Sequence, residues 1–185
     1  MPYLEDHKAK FDNFRVSFET QNRNQLKRKA NGGNSIIFTF PPDEEHLYLE
    51  KFKKEFGAGN FKFIDIAQLL VKFIDNHGWP AFEAYYNDFK NTPHIIFKSE
   101  YDTEDLMDLI IKSIGDADEN GQTAVLTRTG ALFGTGIENV NIMEHKSVMN
   151  LKHPLVIMYP SKLENDNLYF LNFKFANKYR CIVIE

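Results

Sequence analysis

Apolar residues along the chain change their period several times, and each change marks an element. Phe11, Phe14 and Phe18, with Leu4 before them, recur at helical spacing on a polar rod, which predicts a helix over residues 4–26. Asn31-Gly32-Gly33-Asn34 breaks it. Ser35-Ile36-Ile37-Phe38-Thr39-Phe40 then reads as a strand, apolar enough to be covered on both faces. Pro41-Pro42-Asp43-Glu44-Glu45 follows, and prolines followed by acids suit a helix start. That helix extends to about Phe56, where Gly57 stops it.

The alternation continues. Phe61-Lys62-Phe63-Ile64 is a second strand, and Asp65 is placed to cap a helix burying Ile66, Leu69, Leu70, Phe73 and Ile74. Trp79-Pro80 opens a further helix to about Asn91, and His94-Ile95-Ile96-Phe97 is a short apolar run. Asp102 or Thr103 is the expected cap of a helix carrying Leu106, Leu109, Ile110 and Ile114, with an acidic loop at residues 115–121. Residues 122–127 form a third strand, and residues 142–151 a helix stopping near His153-Pro154. Leu155-Val156-Ile157-Met158-Tyr159 is a fourth strand ended by Pro160. Residues 168–175 and 179–184 have no helix between them and read as a terminal hairpin. The expected fold is therefore α/β: a mainly parallel, helix-covered sheet, Rossmann-like or degenerate P-loop-like, with a C-terminal antiparallel hairpin. Residues 1–185 read as one domain, on which residues 1–30 contribute a packed N-terminal helix.

Composition agrees. With 43% hydrophobic and 26% charged residues, the chain has the balance of a globular domain. Its 17 phenylalanines are an excess that reads mainly as core, with a share left for an exposed partner surface. A net charge of −4 argues against a general affinity for nucleic acid or anionic lipid. Lys27-Arg28-Lys29 is the local exception, read as a solvated helix end; direct DNA binding would depend on it. Cys181 is the single cysteine and lies in an apolar run, which predicts a buried small hydrophobe in a reducing compartment. Residues 1–10 lack the apolar core of a signal peptide, and no apolar run approaches the ~20 residues of a membrane helix. The expected location is the cytoplasm.

Tests for known chemistry fail one by one. A phosphate loop after the first strand needs glycine amides and a lysine. Pro41-Pro42-Asp43-Glu44 offers no amide donor at either proline and adds negative charge. Gly134-x-Gly136 lacks the third glycine of a dinucleotide fingerprint, and no lysine there precedes a hydroxyl residue. The six histidines, His7, His46, His77, His94, His145 and His153, are scattered, whereas zinc needs three or four converging ligands. There is no Gly-x-Ser-x-Gly elbow. Asp116, Asp118, Asn120 and Gly121 begin like a calcium loop, but Thr127 stands where the closing acid belongs. No catalytic residue, metal ligand or cofactor is assigned.

A resemblance adds what these tests do not. Ile36 through Glu45, with its strand, two prolines and acids, resembles the early segment of BrxB, a family within bacterial BREX phage-defence systems. Leu126-Thr127-Arg128-Thr129-Gly130-Ala131-Leu132-Phe133, Val156-Ile157-Met158-Tyr159-Pro160 and Asn177-Lys178-Tyr179-Arg180 resemble later family segments in the same order. The likeness covers residues 35–185. Ser161 and Gly134 depart from it, where the family commonly has glycine and proline respectively. The resemblance implies a small non-catalytic component working with a phosphatase-like PglZ protein, a DNA methyltransferase and a large ATPase.

Partners of a parallel sheet tend to meet the carboxyl ends of its strands. That rim is expected to hold Pro41, Pro42, Asp43, Arg128, Thr129, Tyr159, Pro160 and Arg180. The alternative is a small nucleotide-binding protein or enzyme using Asp43, Arg128 and Arg180 on the same rim.

Overall fold

The computed structural model describes residues 3–19, 23–99 and 104–185. Five strands run parallel in the order β2-β3-β4-β1-β7: β1 (Ser35–Phe40), β2 (Phe61–Asp65), β3 (Thr123–Thr127), β4 (Leu155–Glu164) and β7 (Cys181–Ile184). This is the expected mainly parallel, helix-covered sheet. Its first strand sits between β4 and β7, so the order is not the 3-2-1-4-5-6 of the dinucleotide-binding fold. Two short strands, β5 (Asn167–Phe170) and β6 (Lys174–Ala176), form an antiparallel hairpin on the far end of β4.

Each face of the sheet has its own core. On one, helices α1 (Tyr3–Phe18), α2 (Arg23–Lys29) and α3 (Glu45–Phe56) pack Phe11, Phe14, Leu26, Tyr48 and Phe52 against Ile36, Phe38 and Phe40 of β1. The rings interlock, with centroids 5.1 Å apart for Phe11–Phe38 and 4.9 Å for Phe14–Phe52. On the other face lie α4 (Ile66–His77), α5 (Trp79–Phe89), α6 (His94–Phe97), α7 (Leu106–Glu119), α8 (Asn139–Met143) and α9 (Lys146–Met149). All six residues of β1 are buried, as its continuous apolar run predicts.

Capping chemistry sets the helix starts. Asp65 Oδ1 accepts the Gln68 N–H at 3.0 Å and caps α4, as expected. Helix α7 begins later than anticipated: Asp105, not Asp102 or Thr103, forms a reciprocal capping box with Asp108. Asp102 and Thr103 themselves lie outside the described residues, as do residues 20–22 and the side chain of Leu4.

Other boundaries differ for identifiable reasons. The segment expected as one N-terminal helix contains two, α1 and α2. The acidic stretch expected as a loop is helical to Glu119, and Asp118 ties α7 down by accepting the backbone N–H groups of Lys152 and His153. The helix expected over residues 142–151 is two short ones, α8 and α9, with an independent cap at His145. Pro160 does not end β4. It pairs with Phe40 at the last β1 contact, where the strand leaves the parallel ladder, and its missing N–H costs no ladder bond there. From Ser161 onward β4 pairs with β5 instead.

The terminal hairpin is also differently composed. Leu171 and Asn172 adopt left-handed conformations (φ 51° and 70°) and turn β5 into β6. The last apolar run, β7, crosses to the other edge and lies parallel to β1, with Cys181 beside Ser35. Leu168, Phe170 and Ala176 of the hairpin join the core of Ile37, Ile157 and Tyr159.

Candidate partner-binding site

The carboxyl ends of β1, β2 and β3 bring three ionisable groups together. Arg128 follows β3 in a left-handed conformation (φ 54°), and its exposed guanidinium reaches Asp65 Oδ2 at 3.4 Å. Glu45, at the start of α3, lies against Arg128 and its backbone N–H; its Oε1 oxygen is buried and has no hydrogen-bond partner among the described residues. Burial raises the Glu45 pKa; the Arg128 charge and backbone N–H draw it back, and Asp65 pushes it up again.

The eight rim residues expected from the sequence separate into three groups. Pro41 and Pro42 are half-buried beside the exposed Asp43, and Arg128 is exposed. Thr129, Tyr159 and Pro160 are buried. Thr129 Oγ1 donates to the Met158 carbonyl at 2.7 Å and pins the loop after β3 to β4. Tyr159 stacks on Phe170 with centroids 4.8 Å apart, and burial moves its hydroxyl pKa well upward. These three shape the rim from beneath. Arg180 is not on this rim: it precedes β7 at the amino end of the sheet, with Nε 3.4 Å from Glu144 Oε1. Among the described residues no group of three or more His, Cys, Asp or Glu could hold a metal ion.

Side chains that the sequence reading did not single out dominate the neighbouring surface. The β5–β6 hairpin alternates: Leu168, Phe170 and Ala176 point inward, so Tyr169 and its partner Phe175 face out. Lys162 of β4 stands opposite Tyr169, its ammonium 5.7 Å from the ring centre. Phe173 leaves the turn beside Phe133, which follows the short turn Thr129–Leu132, with centroids 5.5 Å apart and the rings nearly perpendicular. Exposure is 52% for Phe133, 64% for Phe173 and 65% for Phe175. Phe133 and Phe173 in ring contact, with Phe175 on the same hairpin and beside the same small cavity as Phe133, present a cluster of exposed rings, where single exposed apolar residues would need no explanation.

Compared with protein-family models, with curated proteins and with solved structures, the chain matches none. The site must therefore be read from its own chemistry. A signal for the patch was present: Leu168-Tyr169-Phe170-Leu171-Asn172-Phe173-Lys174-Phe175 has too few polar residues for a hairpin with one wet face. Phe133 carried no such signal, because its apolar neighbours Ala131 and Leu132 read equally well as core.

Charge around the patch is balanced. Lys174 pairs with Glu138 at 2.9 Å, Lys162 with Glu164 at 2.9 Å, and Lys178 with Asp166. The basic residues Lys27, Arg28 and Lys29 are exposed in the last turn of α2, where they complement the negative helix end.

Proposed function

We propose that this protein is a non-catalytic interaction module of a bacterial BREX anti-phage defence system. On this reading it docks a PglZ-like partner and works in the cytoplasm. The observation that carries the docking role is the cluster of exposed rings formed by Phe173 and Phe175 of the hairpin and Phe133 of the neighbouring loop. Aromatic anchors on a fixed backbone lose little conformational entropy on binding, and such residues dominate interface energetics. The defence assignment rests on the ordered resemblance to BrxB. Its motifs fall at constrained points: Pro41-Pro42 at the end of β1, Gly130 to Phe133 around a tight turn, and Tyr159-Pro160 where β4 changes partners.

The test is co-elution of the protein with a PglZ-like partner in size-exclusion chromatography at micromolar concentration. The wild type is expected to co-elute, and the double variant Phe173→Ser/Phe175→Ser to elute apart. Separate elution of the wild type would rule out a stable binary complex. Co-elution of the variant would move the contact to another surface.

A second reading, a small-molecule site on the carboxyl rim, is favoured by the buried Glu45 Oε1, which lies near the Arg128–Asp65 pair and has no hydrogen-bond partner among the described residues. Arg180, at the other end of the sheet, takes no part in it. Thermal shift with ATP, GTP and divalent cations tests it. A ligand at about 100 times its dissociation constant stabilises by about 2.7 kcal/mol, so unchanged melting with all of them excludes it.

A further inference from the structure

We infer that the open edge of β2 is a second docking site, which takes an extended segment of a partner chain bearing alternating acidic and apolar residues. The edge lies on the far side of the sheet from β7, so this inference does not depend on the role of the aromatic patch.

The backbone shows which groups are on offer. The Thr123 N–H donates to the Asn60 carbonyl and Thr127 Oγ1 to the Ile64 carbonyl, so the even-numbered residues face β3. In a parallel ladder the odd-numbered residues then face away from it. The Phe61 N–H is satisfied by the Gly59 carbonyl at 2.8 Å. This leaves the Phe61 carbonyl, both polar groups of Phe63 and the Asp65 N–H directed outward, since among the described residues β2 pairs with β3 alone. An edge of this kind is a template for an added strand.

A groove of about 580 Å³ runs beside it, between β2, α4 and α7. Edges are commonly covered by a helix or loop; here α4 and α7 stand back and leave room for a few residues of extended chain. The two faces of an added strand would meet different surroundings. On the α4 side stand Lys62 and Lys72, both exposed, and neither has an acidic partner within 4.0 Å among the described residues. Asp65 is already committed to the Gln68 N–H and to Arg128, which leaves Asp116 on the α7 wall as the one further acid lining the groove among the described residues. On the opposite face Phe61 and Phe63 pack against the phenylalanine core and are only half-buried. Acids on one side and apolar residues on the other therefore complement the edge. A second copy of β2 does not: antiparallel self-pairing centred on Phe63 would set the two Lys62 side chains diagonally, about 7–8 Å apart on one face.

Fluorescence anisotropy with labelled octapeptides tests the inference. A Val-Glu repeat is expected to bind at least about tenfold tighter than a Val-Lys repeat, and Lys62→Glu/Lys72→Glu to reverse that preference. Two Val-Glu peptides, one N-methylated at every valine and one at every glutamate, report on the backbone. Strand addition predicts that one methylated peptide loses binding and the other keeps it, because only alternate N–H groups face β2. Equal binding of both methylated peptides, or no binding of the Val-Glu peptide at millimolar concentration, would overturn the inference. So would a protein dimer that the peptide dissociates, since the edge would then belong to a second copy.

Discussion

At Gly33 the constraint is contact rather than conformation. A methyl group there would stand 1.9 Å from the Arg180 carbonyl oxygen and 2.5 Å from its carbon, both backbone atoms. The chain entering β1 and the chain entering β7 touch at this point, and Arg180 turns into β7 in a left-handed conformation (φ 61°). Gly33→Ala must push these segments apart and is expected to lower stability by about 1–3 kcal/mol, the usual cost of overpacking. Urea denaturation measures it; an unchanged midpoint would mean that the two segments do not approach this closely. Glu45 gives a prediction of the opposite sign. Burial is the main cause of its raised pKa, so the folded protein holds its proton more tightly than the unfolded chain. Its contribution to stability is full below the ordinary value of 4.5 and is lost as pH rises through the higher folded value. Glu45→Gln should therefore raise the melting temperature at pH 7. The gain should shrink toward pH 4 and vanish below it. A melting temperature at pH 7 equal to or below that of the wild type would show that the attraction of Arg128 outweighs burial.

Between elements, much of the order was legible because local signals and tertiary packing agree. Proline and acids start the turn into α3, Asp65 caps α4, and the apolar run of β1 is buried on both faces. The misreadings share a cause: several residues offered the same local signal and tertiary contacts chose between them. Asp105 competes with Asp102 and Thr103 as a cap. It is chosen because it also accepts the Ser99 N–H and forms the reciprocal box with Asp108. Asp105→Ala removes an acceptor for both N–H groups and should cost about 1–2 kcal/mol. Thermal melting tests this, and a change below about 0.3 kcal/mol would place the start of α7 elsewhere. The apolar run of β7 is equally suited to an antiparallel or a parallel neighbour; its pairing with β1 depends on a crossover that no local pattern encodes. Likewise, Pro160 marks a strand end by its own chemistry and a change of partner by its context.

For the whole molecule, residue type alone could not separate the phenylalanines that hold the fold from those that face solvent. Phe38 and Phe52 are fully buried, whereas Phe173 and Phe175 on the hairpin are nearly two-thirds exposed. Truncating a ring at the two places should therefore have very different consequences for stability. Phe52→Ala empties a ring site in contact with Phe11, Phe14 and Phe38, and is expected to cost about 3–5 kcal/mol. Phe173→Ser/Phe175→Ser removes little buried area and should change the unfolding free energy by less than about 1 kcal/mol in total. If the exposed pair anchors a partner, that variant loses binding while it keeps its fold. Each anchor truncated at a hot spot typically costs about 2 kcal/mol or more, so calorimetry should show a drop in affinity approaching about a thousandfold for the pair. Phe133 supplies an internal control. It lies on a different loop but its ring touches Phe173, so Phe133→Ser should weaken binding less than additively when combined with Phe173→Ser. Additive losses would mean that the two rings contact the partner separately, and a double variant that binds as tightly as the wild type would remove the aromatic patch from the interface altogether.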